Sequence, residues 1–114
     1  MLFRDALMAE RGVDRRSERR YEMPTGVVLK VITGDQFLTS RIEDISLGGA
    51  CVRLNAPLDC DQDIELAHPR IGRIRGSCVW SDGNRIGYRF DKSQTSLELF
   101  AHCMKLLVPA PRHF

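Results

Sequence analysis

No stretch of this chain approaches the roughly 18 consecutive apolar residues that a membrane helix requires. Its opening, MLFRDALMAERG, puts Arg4, Asp5 and Glu10 where a secretory leader needs an unbroken apolar core. Both absences predict a protein that is neither membrane-inserted nor exported, with the cytoplasm as its place. Cys51, Cys60, Cys78 and Cys103 form no CxxC pair, and no histidine stands at zinc-ligand spacing from them. A metal site is therefore not expected, and in a reducing compartment these residues read as buried or half-buried free thiols. His68, His102 and His113 lie far apart in sequence, none with a Cys, Ser or carboxylate partner at a recognisable spacing. No glycine-rich phosphate loop opens a helix either, so the sequence argues against an enzyme. Lysine is scarce: 14 of the 17 basic residues are Arg, a bias towards planar, two-pronged recognition of partners rather than towards simple solubility.

A length of 114 residues fits one domain and leaves no room for a catalytic unit beside a regulatory one. Hydrophobic residues at 43% and charged residues at 28% place the chain among ordinary globular proteins. The net charge of +2 is too small to imply a nucleic-acid partner by itself.

Taken in order, residues 1–14 read as a short N-terminal lead, helical or flexible, interrupted at Gly12. An arm at 15–24 carries the arginines up to Pro24, which favours an extended Met23. A strand-rich body at 25–92 follows. The segment 26–32 (GVVLKVI), then Gly34-Asp35, then 36–42 predicts an antiparallel pair. Further strands are expected at 50–54, 63–67, 72–80 and 86–90, with turns at 46–49 and at Ser81-Asp82-Gly83-Asn84. In the 72–80 segment Ile74, Cys78 and Trp80 fall on one face, and Tyr88 and Phe90 alternate towards the core in the next strand. Within residues 93–108 the period changes. Thr95-x-x-Glu98 has the form of a capping box, and Leu97, Phe100, Ala101, Met104, Leu107 and Val108 recur at helical spacing before a tail at 109–114. Several short strands without intervening helices, then one amphipathic helix, predict an all-β antiparallel barrel or sandwich covered at one side by the terminal helix.

Two stretches carry the chemistry. Arg15-Arg16-Ser17-Glu18-Arg19-Arg20 crowds four guanidinium groups into six residues. Asp44-Ile45-Ser46-Leu47-Gly48-Gly49 sets an acceptor, a hydroxyl and two glycines close together. Alone, the first reads equally well as a solvated charge run and the second as an ordinary turn. In this order and within one short chain they resemble the PilZ family, whose members carry RxxxR followed by [DN]xSxxG. Arg16 and Arg20 match the first motif, Arg15 the extra arginine often placed before it, and Asp44, Ser46 and Gly49 the second, with Gly48 beside it.

The resemblance implies a six-stranded antiparallel β-barrel closed by a C-terminal α-helix over residues 15–108, and a receptor for the bacterial messenger cyclic di-GMP. On that reading Arg15, Arg16 and Arg20 serve guanine edges, base stacking and phosphates. Asp44 accepts from guanine N–H groups, Ser46 reaches a phosphate or exocyclic group, and Gly48 and Gly49 let the backbone approach. Trp80 stands where relatives often have an aromatic residue near the ligand, with a core indole as its other reading. Arg15 further resembles relatives that hold an intercalated ligand dimer. Ligand binding is expected to reorder the arm, which has few apolar anchors, and so to signal to a downstream protein that the sequence does not name. Motility, exopolysaccharide synthesis, pilus assembly and transcription are all attached to the family. Two alternatives remain: a PilZ-like adaptor that contacts proteins without the nucleotide, and a small basic barrel that binds single-stranded nucleic acid through the arm with Arg73, Arg75 and Arg89.

Overall fold

The computed structural model describes residues 19–24 and 26–107. The lead at 1–14, Arg15, Arg16, Val108 and the tail at 109–114 lie outside the described residues. The elements run β1 (Tyr21–Glu22), β2 (Val28–Thr33), β3 (Gln36–Ser46), β4 (Gly49–Leu54), β5 (Glu65–His68), β6 (Gly72–Ile74), β7 (Gly76–Asp82), β8 (Arg85–Phe90) and α1 (Gln94–Leu107).

Alternation decides how the strands face. In β2, Leu29, Val31 and Thr33 are buried while Val28 and Lys30 are exposed. Period-two spacing thus puts one side of the strand into the core. The β2–β3 and β7–β8 hairpins turn at Gly34 (φ 56°) and Gly83 (φ 64°), left-handed conformations in which a Cβ would be strained. Every pairing is antiparallel, in the order β6-β5-β2-β3-β4-β8-β7, with β1 added alongside β3.

The two ends of that order, β6 and β7, are separated in the chain by Arg75 alone, so the sheet must curl until its edges meet. Arg75 also accepts a bond from the Asp91 amide at 3.1 Å, which carries the β8 pairing into the junction. Counted as one bent stave, β6 and β7 join β2, β3, β4, β5 and β8 to make the expected six. The stave was expected to run unbroken over 72–80. It breaks at Arg75 because its first half pairs with β5 and its second with β8, and a straight strand cannot reach both.

The core fills the curl. Tyr88 and Phe90 are buried as expected. The Tyr88 hydroxyl lies 3.1 Å from the Ile64 carbonyl and 3.3 Å from that of Ile74, a strut from β8 across to the β5 and β6 side. Burial, then the charges of Glu65 and Asp91, push its phenol far above the ordinary range, so it stays a donor. α1 packs on β6 and β3 through Leu99 and Cys103, which are fully buried, flanked by Phe100, Met104 and Leu107. Each fully buried Leu of this kind contributes about 1.5–3 kcal/mol.

Two details of the helix depart from expectation. The buried stripe is Ser96, Leu99 and Cys103, whereas Leu97 and Ala101 face solvent. The helix also starts two residues earlier than a Thr95 cap allows. Ser93 stands at the N-cap position: its carbonyl accepts the first helical bond from the Leu97 amide at 3.1 Å and a bond from Ser96 Oγ at 2.9 Å. Thr95 and Glu98 are therefore inside the first turns and form no capping box.

Candidate functional site

β3 runs to Ser46, so Asp44, Ile45 and Ser46 belong to a strand and only Leu47 and Gly48 form the turn. Plain alternation would give Asp44 the same face as Ile42, which is in the core. It does not, because the β3–β4 register shifts at Glu43: Ile42 opposes Val52, but Asp44 opposes Cys51. One extra residue turns the carboxylate from the barrel interior to its outer surface, the re-aiming that β-bulges perform.

The same device acts on the other side of the sheet. β7 shifts at Val79, so Cys78 opposes Tyr88 on the core side while Trp80 opposes Gly87 on the outer side. This corrects the expectation that Cys78 and Trp80 share a face. The indole is buried, but not in the main core. The residue is 8% exposed, yet it stands outside the core cluster and lies over Gly87, where a Cβ would collide with the indole nitrogen and ring carbons.

Directly opposed residues of antiparallel strands share a face. The register therefore aligns Asp44, Cys51, Gly87 and Trp80 in one outer row across β3, β4, β8 and β7. Three strand spacings separate its ends, about 14 Å, and the two residues between are small. The next row holds Ser46, Gly49, Arg89 and Ser77. Gly49 is required there, because a Cβ would stand 2.5 Å from the Tyr88 carbonyl oxygen. The Gly48 carbonyl, next to it, accepts from the Phe90 amide at 2.8 Å.

The arm reaches this face as β1, whose Glu22 opposes Asp44 and whose Tyr21 opposes Ile45. Contrary to the expectation of few apolar anchors, its described part is fastened. Met23 is buried, its amide donates to the Glu43 carbonyl at 2.8 Å, and the Tyr21 ring meets Phe100 edge-on at 6.1 Å. The anchorage brings Arg20 onto Asp44: Nε and Nη2 donate to Oδ1 at 2.9 and 2.5 Å, in a pair with 22% and 9% side-chain exposure. Asp44 thus bonds across 24 residues of sequence. Ser46 behaves as the turn reading has it, donating to the Gly49 carbonyl at 3.3 Å.

Below this row sits a second ionic group. The bulged Glu43 accepts from Arg53 at 2.5 Å and from Arg85 at 2.8 and 3.0 Å. Burial raises the Glu43 carboxyl, but the bonds from the two guanidinium groups outweigh it and hold it below the ordinary carboxylate value. Cys51 closes the group, its sulfur 3.7 Å from both Glu43 Oε1 and Arg85 Nη2. Glu43 was not legible as a site residue. Its only signal is that Ile42 and Asp44 cannot both follow strict alternation if one is core and the other functional.

Sequence spacing also missed a histidine pair. His68 and His102 meet edge-on at 5.0 Å, joining the β5–β6 turn to α1, while His68 Nδ1 accepts from the Arg70 and Ile71 amides at 3.1 and 3.3 Å. Among the described residues no group of three or more His, Cys, Asp or Glu side chains is placed to hold a metal ion. No described helix is long and apolar enough to cross a membrane.

Of the eight expected site residues, Arg20, Asp44, Ser46, Gly48, Gly49 and Trp80 lie on or beside this outer face, and Arg15 and Arg16 lie outside the described residues. Comparison with solved structures finds the same fold in Escherichia coli YcgR, a structure described as a complex with c-di-GMP. The TM-score is 0.52 at 20% identity, over 82% of this chain and 46% of that one, so the chain spans less than half the length of that neighbour. None of the curated proteins compared with this chain matches it. The PilZ domain profile matches residues 14–105, from just ahead of the arginines almost to the end of α1, and the chain belongs to the PilZ domain family.

Proposed function

We propose that this protein is a cyclic di-GMP receptor, with the outer row of β3, β4, β8 and β7 as its binding face. The observation that carries the reading is that two separate bulges turn Asp44 and Trp80 out of the core into one row, and that Arg20 is already seated on Asp44. Guanine presents acceptors at O6 and N7 and donors at N1 and N2, so a cation beside a carboxylate matches its edges as adenine's would not be matched. The Trp80 indole lies over Gly87 at the other end of the row, and a base would stack on it from its outer side. Arg15 and Arg16 would then serve the phosphates and the second base, whether one ligand binds or an intercalated pair.

The reading is that of a receptor rather than an enzyme. A bound ligand would engage Arg15 and Arg16 beside the seated Arg20, change the surface presented there, and so signal to a protein partner through differential contacts in the two states. Of the strand aromatics that the nucleic-acid alternative needs free to stack, Tyr88 and Phe90 are in the core and, among the described residues, Phe37 is the one largely exposed.

Calorimetric titration with cyclic di-GMP tests the reading. Micromolar or tighter binding, about −8 kcal/mol or better, that is lost in an Arg16→Ala, Arg20→Ala double variant supports it. Absence of heat and of competition at high ligand concentration would leave protein contact without nucleotide as the function of the face.

A further inference from the structure

The outer face carries more cations than its two motifs account for, and they are not equivalent. Arg53 and Arg85 are both bound to Glu43. Arg41 lies along Gly26, where a Cβ would stand 2.7 Å from its Cδ. Arg89 is exposed and, like Arg41 and Arg75, makes no ion pair among the described residues; its place in the register sets it apart. Two carboxylates line the same open cleft of about 540 Å³. Glu65 is bonded to Arg73 at 3.0 Å, and Asp91 forms no ion pair with Arg89.

Position gives this unpaired charge a use. Arg89 shares its row with Ser46, Gly49 and Ser77, next to the row that runs from Asp44 to Trp80. Its neighbour on β4 is Gly49, so no side chain stands between Arg89 and Ser46. Two strand spacings, about 10 Å, separate their backbones, a gap that an arginine and a phosphate can fill together. A guanidinium that makes no ion pair among the described residues, beside a stretch of bare backbone, is poised for an anion with two oxygens to offer.

We propose that Arg89 is a further phosphate-binding residue of this site, holding a phosphate of the cyclic dinucleotide over the bare backbone at Gly49. The proposal rests on the receptor reading and extends it to a residue outside both sequence motifs. It divides the labour across the face: Arg20 and Asp44 address a guanine edge, Trp80 a base plane, and Arg89 a phosphate on the β8 side.

The test is calorimetric titration of wild type, Arg89→Ala, Arg89→Lys and Lys30→Ala with cyclic di-GMP at two salt concentrations, with thermal melts of each. Lys30 is exposed on β2, away from the face, and controls for loss of one charge. The expected result is at least a tenfold weaker Kd for Arg89→Ala, a shallower salt dependence, recovery of most of the affinity in Arg89→Lys, and no change for Lys30→Ala. Wild-type binding that Arg89→Ala leaves within twofold would overturn the proposal while the receptor reading stands. Equal losses in Arg89→Ala and Arg89→Lys would overturn the phosphate assignment in favour of a forked contact to a base. A wild type that does not bind would remove the receptor reading and the proposal with it.

Discussion

Asp44 shows how much one side chain depends on its setting. A carboxylate in a Asp-x-Ser-x-x-Gly stretch invites a local turn bond, but here it receives two bonds from an arginine 24 residues earlier. Asp44→Ala is expected to leave the barrel folded and to weaken cyclic di-GMP binding by about tenfold or more, the value of one bidentate base contact. Unaltered affinity by calorimetry would exclude Asp44 from the site. Trp80 is the chain's one tryptophan, so its fluorescence reports on the far end of the row without a label. Gly87→Val must push the indole from its seat, and it should shift Trp emission and weaken binding together. A shifted spectrum with full affinity would show that the indole is not part of the face. Inside the barrel, Tyr88→Phe removes the strut to the Ile64 and Ile74 carbonyls. It should cost about 1–2 kcal/mol in denaturant unfolding, because a buried acceptor loses its partner.

Elements place these residues, and here the sequence was only partly readable. Strand count, the β7–β8 hairpin, the core direction of Tyr88 and Phe90 and the terminal helix follow from alternation and turn chemistry. The bulges at Glu43 and Val79 do not. An inserted residue leaves no mark in a single sequence except a face assignment that fails, and Trp80 was assigned to the wrong face for that reason. The helix stripe was misread in a similar way, since Leu97 and Ala101 keep apolar spacing while the packed positions include Ser96 and Cys103. The junction of α1 with the β5–β6 turn carries a pH dependence. Burial first, then His102 and Arg70, lower the pKa of His68 from its ordinary 6.5. Protonation would also set Nδ1 against the two backbone amides that it accepts. The folded state therefore binds this proton less readily than the unfolded one. The stabilisation is complete above pH 6.5 and is lost as pH falls through that value towards the lower folded pKa. Thermal midpoints should fall between pH 7.5 and 5, and His68→Gln should reduce the difference; an undiminished difference in that variant would assign the acid sensitivity elsewhere.

At the scale of the whole molecule, the curled sheet joins what the sequence keeps apart. The arm, β3 and β7 are brought to one face by a sheet whose ends close through Arg75, and β1 fastens the arm at Tyr21 and Met23. The family could be read from two short motifs. The row that links Asp44 to Trp80 could not, because it exists only through the register of four strands. Signalling should begin where the arm meets this row. Amide exchange across residues 11–24 is expected to slow at saturating ligand, and unchanged exchange would sever binding from arm movement. The most direct test of the account is a map of backbone amide shifts during titration with cyclic di-GMP. The account predicts that the shifts concentrate at Arg20, Asp44, Ser46, Cys51, Trp80, Gly87 and Arg89 while the core side of β2 and β5 stays still. Shifts centred on β5 and β6, or none at saturating ligand, would contradict it.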